Sequence, residues 1–206
     1  MNIAFIDFQN LWKSIDTNLY KYYITLAWRP YPAKRICDEF TRDRLIAEGK
    51  QKNADFTLVH TAWKMDFLKF RQYLRDKFSI DRAIIFIGYI AENESFYTRL
   101  RDFGFEMIFK QTLIQWEVVK GNVDAELVMH ASLMIDEYDG AVLVTGDGDF
   151  LCLVEELIRR SKLLRILTPN DQTFSQLYKP HLSYILPLTK VREKLEHKKT
   201  SIGPKA

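Results

Sequence analysis

The sequence predicts an α/β fold, a Rossmann-like three-layer sandwich with a mainly parallel central sheet of about five strands. Two observations lead to this prediction. Apolar runs of strand length alternate with segments of helical periodicity along most of the 206 residues. The runs at 3–6, 83–87 and 141–144 are apolar at successive positions rather than at every second one, which is typical of parallel strands that helices cover on both faces.

Five apolar runs are predicted as the long strands of this sheet, and a sixth, shorter run as an edge strand. The predicted strands cover residues 2–7, 82–90, 105–110, 141–145 and 163–168, with the edge strand at 184–186. We assume the order 3-2-1-4-5 for the long strands, with right-handed crossovers. In this order strands one and four are neighbours, at the reversal point where open α/β sheets bind their ligands.

Segments of helical periodicity connect the strands. The predicted helices cover about residues 11–20, 65–78, 94–103, 122–138 and 150–161, followed by a short helix at 175–178 and a helical tail at 189–199. Gly104 ends the third helix, because glycine favours the position just after a helix. Cys152 lies in an apolar helical pattern and is therefore predicted to be a small core residue.

Residues 26–63 interrupt the alternation, and a structureless loop of this length is unusual in a compact domain. We predict an insertion here, which is a lid, a small subdomain with its own core, or an oligomer contact. The last of these would make the protein a homodimer. Basic residues of the insertion, among them Arg29, Lys34 and Arg35, alternate with aromatic ones and are candidates for gripping a single strand of nucleic acid.

Positive charge is concentrated at the end of the chain. The formal net charge is only +3, whereas residues 190–206 carry six Lys or Arg and two Glu. We therefore predict one domain over residues 1–189, followed by a basic tail. This tail is either a solvated end or an arm that binds nucleic acid.

Composition also suggests a compartment. The two cysteines form neither a disulfide framework nor a metal-thiolate spacing, which favours a reducing environment. The sequence shows no secretory signal and no apolar stretch long enough to cross a bilayer. We expect a cytoplasmic protein without membrane contact.

Acidic residues follow the ends of two predicted strands. Asp7 ends strand one, with Asn10 three residues further on, and Asp147 and Asp149 follow strand four in the TGDGDF stretch of residues 145–150. The carboxyl ends of neighbouring parallel strands meet at one edge of a sheet, so these carboxylates should converge. Like charges this close are costly unless a cation lies among them or one carboxylate is protonated. The pattern therefore predicts a divalent metal site.

Asp124 adds a fourth carboxylate, in the first turn of the helix that precedes strand four. Hard cations such as Mg²⁺ and Mn²⁺ take oxygen ligands, and an ion held in this way activates water and neutralises charge that develops on a phosphate. Asn10 is placed to hydrogen-bond a ligand or an attacking water. Lys120 and Thr145 are the neighbouring candidates for contact with substrate, Lys120 through a phosphate.

Each of these polar residues also has a purely structural interpretation. The helix dipole favours Asp124 in a first turn whatever its function, and Asp149 and Asn10 are good helix N-caps. The functional interpretation is favoured because three separate segments deliver acidic groups to the same edge of the sheet.

Three stretches, in order, resemble the NYN domain: FIDFQN at residues 5–10, KGNVD at 120–124 and VTGDGDF at 144–150. NYN domains belong to the PIN-like nuclease group, and the family includes the LabA-like proteins. These motifs span almost the whole chain. The resemblance implies a PIN-like sandwich, Mg²⁺ or Mn²⁺ in a carboxylate pocket, and ribonuclease activity on RNA, expected to be single-stranded.

Carried over by motif, the catalytic and metal-binding acids are Asp7, Asp124, Asp147 and Asp149, with Asn10 beside them. The implied mechanism is hydrolysis of an RNA phosphodiester bond by a metal-activated water. The chain departs from the family where Phe8-Gln9 stands, since the family often carries Gly-Glu or similar before the Asn. The insertion is also larger than the family pattern leads us to expect.

Two other functions compete with the nuclease. Phosphatases of the haloacid-dehalogenase type also place an Asp after strand one and use a late Gly-Asp motif for Mg²⁺. Their Asp-x-Asp opening, however, needs an acid at the position of Gln9. The second alternative is a non-catalytic RNA-binding or regulatory NYN module, which low activity with retained metal and RNA binding would support.

Overall fold

A computed structural model provides the structure of the chain. It describes residues 1–26, 31–110, 113–115, 118–120 and 123–198, and for residues 113–115 and 118–120 it describes the backbone alone. The strands are β1 (Asn2–Asp7), β2 (Leu19–Ile24), β3 (Ala33–Asp38), β4 (Thr57–His60), β5 (Ile80–Gly88), β6 (Phe105–Lys110), β7 (Leu113–Gln115), β8 (Val118–Lys120), β9 (Gly140–Val144), β10 (Leu163–Thr168) and β11 (Ile185–Pro187). The α-helices are α1 (Phe8–Ile15), α2 (Glu39–Ala47), α3 (Phe67–Phe78), α4 (Glu94–Asp102), α5 (Asp124–Leu133), α6 (Leu151–Arg159) and α7 (Arg192–Leu195).

Six strands form a parallel sheet in the order β11-β10-β9-β1-β5-β6. The predicted α/β fold and the assumed order of the five long strands are confirmed, with the short edge strand paired to β10. β1 lies between β5 and β9, so the reversal point is at its carboxyl end. There Asp7 pairs with Phe86 of β5, and Ile6 pairs with Val144 of β9.

Helices cover both faces of this sheet, and successive residues of a strand enter opposite cores. Ala4 and Ile6 of β1 pack in the core under α1 and α3, whereas Ile3 and Phe5 pack in the core under α5 and α6. All four side chains are fully buried. This two-sided burial explains why the central strands β1 and β9 carry continuous apolar runs.

The residues after α1 form a second, smaller sheet of three antiparallel strands, in the order β3-β2-β4. The predicted helix over 11–20 is therefore wrong at its end, because α1 stops at Ile15 and β2 begins at Leu19. Leu11, Ile15 and Leu19 are buried and spaced four apart, which imitates a helical stripe. Pairing with β3 and β4 places Leu19 in a strand instead.

The other long predicted helices exist but are shorter at their ends, whereas the short helix predicted at 175–178 is a longer 3-10 segment over Gln176–Tyr184. α5 ends at Leu133, before the predicted position 138, and α6 is preceded by a 3-10 turn over Gly148–Phe150. The prediction for Cys152 is wrong, because its side chain is exposed. α6 turns Leu153, Val154 and other apolar residues toward the sheet, which leaves Cys152 on the opposite side.

The segment that follows β11 packs on the core. It contains a 3-10 turn over Leu188–Val191 and the single turn of α7, where the sequence predicts one longer helix. Leu195 is fully buried, and Arg192 pairs with Glu196 while donating a hydrogen bond to the Thr61 carbonyl. Residues 199–206 lie outside the described residues. Among the described helices, none combines the length and the hydropathy that a membrane span requires.

Candidate metal centre

Asp7 closes β1 and caps α1. One carboxylate oxygen accepts a hydrogen bond from the Asn10 backbone N–H at 3.1 Å, and the other accepts one from the Thr145 hydroxyl at 3.0 Å. The side chain is only 3% exposed. Burial raises the pKa of Asp7 to about 6, although the two hydrogen bonds lower it. The negative charges of Asp124 and Asp147 also raise this pKa.

Thr145 links Asp7 to the loop after β9. Its buried hydroxyl donates to Asp7 and accepts a hydrogen bond from the backbone N–H of Asp147 at 3.1 Å. A carboxylate oxygen of Asp147 in turn accepts from the backbone N–H of Asp149 at 3.1 Å. These bonds set the path of the loop and therefore the positions of its two carboxylates.

Asn10 joins α1 to the same loop from the other side. Its side-chain oxygen accepts a hydrogen bond from the Gly146 backbone N–H at 2.8 Å. The Gly146 carbonyl accepts one from the Ser175 backbone N–H, also at 2.8 Å. Asn10 lies in the first turn of α1, whose N-cap is Asp7, so the alternative interpretation of Asn10 as an N-cap is wrong. Its side chain instead orients the loop after β9.

The acidic cluster consists of Asp124, Asp147 and Asp149, each of which offers one carboxylate oxygen within 4.8 Å of the other two. Asp124 comes from the first turn of α5, and the other two come from the loop after β9. Asp124 and Asp147 are half-buried and Asp149 is exposed, so the cluster opens to solvent. Asp7 lies outside this group of three and acts on it through its charge.

The donor set of the acidic cluster fits a hard divalent cation. Such ions take carboxylate oxygens together with waters, and an open side leaves room for those waters and for a substrate oxygen. Three carboxylates this close repel one another in the absence of a cation. The arrangement can therefore hold an ion and present it to a phosphate.

Comparison with known proteins assigns the fold to a family. Residues 3–181 match the NYN domain. The chain belongs to the NYN domain family. The match concerns the family as a whole and does not single out the LabA-like proteins. It favours a PIN-like nuclease fold over the haloacid-dehalogenase alternative.

A solved structure agrees with this assignment at the level of the fold. This NYN domain is similar to a protein of unknown function from Vibrio parahaemolyticus, with a TM-score of 0.55 and 17% sequence identity. The similarity covers 95% of this chain and 96% of that one. A search of curated proteins finds no match.

Among the basic candidates of this NYN domain, the structure describes the side chains of Lys34 and Arg35 alone. Lys34 and Arg35 are exposed neighbours on β3, so they point to opposite faces of the small sheet and do not form one patch with each other. Lys120 ends β8, but its side chain lies outside the described residues, as does Arg29.

Sequence reasoning missed the residues that support the loop from behind. Tyr178 is fully buried and its hydroxyl donates to the Asp147 carbonyl; burial, followed by the nearby carboxylates, raises the pKa of that hydroxyl. Gly148 lies so close to Ser175 that a Cβ would stand 2.3 Å from the serine oxygen. No spacing in the sequence marks Tyr178 or Ser175, because both approach the loop only through the tertiary fold.

Proposed function

We propose that this NYN domain is a metal-dependent ribonuclease that hydrolyses phosphodiester bonds in RNA. One observation carries the proposal: Asp124, Asp147 and Asp149 converge at the reversal point of the sheet, beside the buried Asp7. Membership of a generally nuclease-like family supports it. The acidic cluster supplies the charge that phosphoryl chemistry uses.

The acidic cluster would hold Mg²⁺ or Mn²⁺. When bound, such an ion lowers the pKa of a water and neutralises charge that develops on the phosphate. Asp149 is the exposed member and would meet the substrate side, whereas Asp124 and Asp147 are half-buried.

Asn10 and Asp7 have different parts in this proposal. Because the Asn10 oxygen accepts from Gly146, its amide nitrogen is the atom that remains for a phosphate oxygen or a water. Asp7 positions Thr145 and the start of α1 through its two hydrogen bonds, and its negative charge strengthens cation binding from behind the cluster.

Exposed cations would hold the RNA backbone. Lys190, Lys194 and Lys198 are exposed on the docked C-terminal segment, and Lys34 and Arg35 are exposed on opposite faces of β3, so that only one of these two would meet a given strand of RNA. Contacts of this kind release counterions, so binding should weaken as salt rises. Arg192 is a weaker candidate, because its guanidinium is engaged with Glu196.

The deciding experiment is cleavage of a labelled single-stranded RNA with Mg²⁺ or Mn²⁺, with EDTA as the control. We expect Asp147→Asn to lower the cleavage rate by roughly a hundredfold or more, because it removes one charged ligand. The fold should survive, since asparagine caps as well as aspartate does and can still accept from the Asp149 N–H. Asp136→Asn is the matched control, at a side chain that is 89% exposed and lies outside the cluster.

The outcomes separate the competing functions. Cleavage that needs both the ion and Asp147 would establish the nuclease. A folded wild-type protein that binds RNA without cutting it would refute the proposal and favour the non-catalytic module. Unfolding of Asp147→Asn would show that this acid is structural and would refute the site assignment.

A further inference from the structure

We infer that an aromatic pocket next to the acidic cluster binds one unpaired nucleobase of the RNA; the identity of this ligand rests on the proposed function. The pocket, called the base pocket below, encloses about 550 Å³, a size within the range of small-molecule sites. It opens at the carboxyl end of β5, on one side of β1. The loop that carries Asp147 and Asp149, called the acidic loop below, follows β9 on the other side of β1.

One wall of the base pocket is a single face of α1. Phe8, Gln9, Trp12 and Lys13 line it, as two pairs spaced four residues apart. The facing wall comes from the end of β5 and the start of α4, where Phe96 contributes its ring. The pocket thus begins at the residue directly after Asp7.

The aromatic rings of the base pocket are held in place before any ligand arrives. The Trp12 ring stacks with Phe8 at 5.9 Å and with Phe67 at 6.3 Å, and it meets Phe96 edge-on at 6.2 Å. Trp12 is nevertheless 38% exposed. A fixed and accessible indole stacks on a planar base with little loss of conformational freedom.

Polar groups at the rim match the edges of a base rather than an aliphatic ligand. Gln9, Lys13 and Asn93 line the pocket and are exposed. Within the described part of the chain, their side chains make no hydrogen bond or ion pair. Two amides offer both donors and acceptors to a base edge, and the ammonium group offers charge to a phosphate.

The position of α1 connects the base pocket with the cleavage site. Gln9 faces the pocket, while Asn10 is rotated by about 100° around the helix and contacts the acidic loop through Gly146. One helix therefore separates a place for a base from a place for the adjoining phosphate. A base can enter only if it is unpaired and unstacked, so the pocket selects single-stranded RNA.

The test measures binding in an Asp147→Asn background with Mg²⁺, by fluorescence anisotropy. The probes are a short labelled unstructured RNA and the same RNA with one abasic nucleotide at each position in turn. We expect Trp12→Leu to weaken binding of the intact RNA roughly tenfold. One abasic position should cost the parent a similar factor and cost Trp12→Leu nothing, because base and indole form the same contact.

Two further variants test whether a loss of affinity comes from the base pocket. Gln9→Ala changes an exposed and unpartnered side chain, so it leaves the fold intact and should also weaken binding of the intact RNA more than that of the critical abasic RNA. Leu133→Ala is the control, at a residue that is 75% exposed and lies at the end of α5 far from Asp124. It should bind as the parent does.

The possible outcomes separate the base pocket from the proposed nuclease activity. Unchanged affinity in Trp12→Leu and Gln9→Ala, or an equal effect of abasic positions in parent and variants, would overturn the base pocket. Cleavage by the wild-type protein without any dependence on the base would overturn the pocket and leave the nuclease intact. Base-dependent binding without wild-type cleavage would support the pocket and refute the nuclease.

Discussion

At the scale of single residues, Asp7 combines a negative charge with almost complete burial. Two hydrogen bonds stabilise its ionised form, but burial outweighs them and the pKa rises from 3.8 to about 6. Between these values the unfolded chain is ionised at this position while the folded protein keeps its proton. Unfolding therefore releases a proton in this window, and Asp7 makes the folded protein less stable as pH rises from about 4 to 6.

Asp7→Asn should remove this dependence. We expect the variant to gain stability over the wild type between about pH 4 and 6 and to keep the gain above pH 6. A shift of about two pKa units corresponds to roughly 3 kcal/mol at most. The net gain should be about 1–2 kcal/mol, because the new amide has one acceptor oxygen where the carboxylate has two and so keeps only one of the two hydrogen bonds.

Urea unfolding in EDTA, at pH 4 and at pH 8, measures this gain without a contribution from a bound ion. Asp136→Asn serves as the exposed carboxylate for comparison and should change little at either pH. A difference between wild type and Asp7→Asn that stays the same at both pH values would show that burial does not raise the pKa of Asp7.

The acidic residues of the site were predictable one by one, but their arrangement was only partly so. Parallel strands end at a common edge, and this rule alone brings Asp147 and Asp149 toward Asp7. The rule does not say that Asp7 is buried and lies outside the cluster of three. In the structure Asp7 accepts a hydrogen bond from the Thr145 hydroxyl, which is 138 residues away in the chain, and no local pattern marks such a contact.

At the scale of elements, predictions held where the local pattern and the tertiary fold agree. Strands β1, β6 and β10 begin and end as predicted. β1 shows the reason most clearly, because its continuous apolar run over residues 3–6 is buried on both faces of the sheet. The strand β2 was missed, because Leu19 continues the spacing of α1. The hairpin of β7 and β8 was missed as well, since neither strand exceeds three residues.

The C-terminal segment offers a test at this scale. Leu195 of α7 is fully buried in the core under α1 and α3. Leu195→Ala should lower the free energy of unfolding by about 2–4 kcal/mol through lost burial and the cavity left behind. Leu133→Ala, at an exposed position of α5, should cost about 0.5 kcal/mol or less.

Urea midpoints of the two leucine variants give the comparison directly. Equal midpoints would mean that the segment does not dock on the core in solution, and the basic residues beyond it would then be free to act as an arm. A large loss in Leu195→Ala alone would instead fix the exposed lysines of this segment to one surface of the domain.

At the scale of the whole molecule, the fold and the site come from one topological fact. Placing β1 between β5 and β9 brings Asp7 to the reversal point, with the end of β9 on one side of it and the end of β5 on the other. The loop after β9 and the start of α5 fill one side with carboxylates, and α1 and α4 line the other with aromatic rings. The sequence predicted the first side because acids after strands are conspicuous. It did not predict the second, because aromatic residues at helical spacing usually belong to the core.

Ion binding should be visible as stability of the entire domain. An ion that binds only the folded protein stabilises it by about 2.7 kcal/mol at a concentration a hundred times its dissociation constant. For a domain of this size we expect Mn²⁺ to raise the melting temperature by roughly 5–10 °C.

Asp147→Asn should lose most of this rise, yet melt no lower than the wild type in EDTA, because it relieves repulsion within the acidic cluster. Asp136→Asn should keep the full response to the ion. An equal rise in wild type and Asp147→Asn would mean that Mn²⁺ binds elsewhere and that the acidic cluster does not hold the ion.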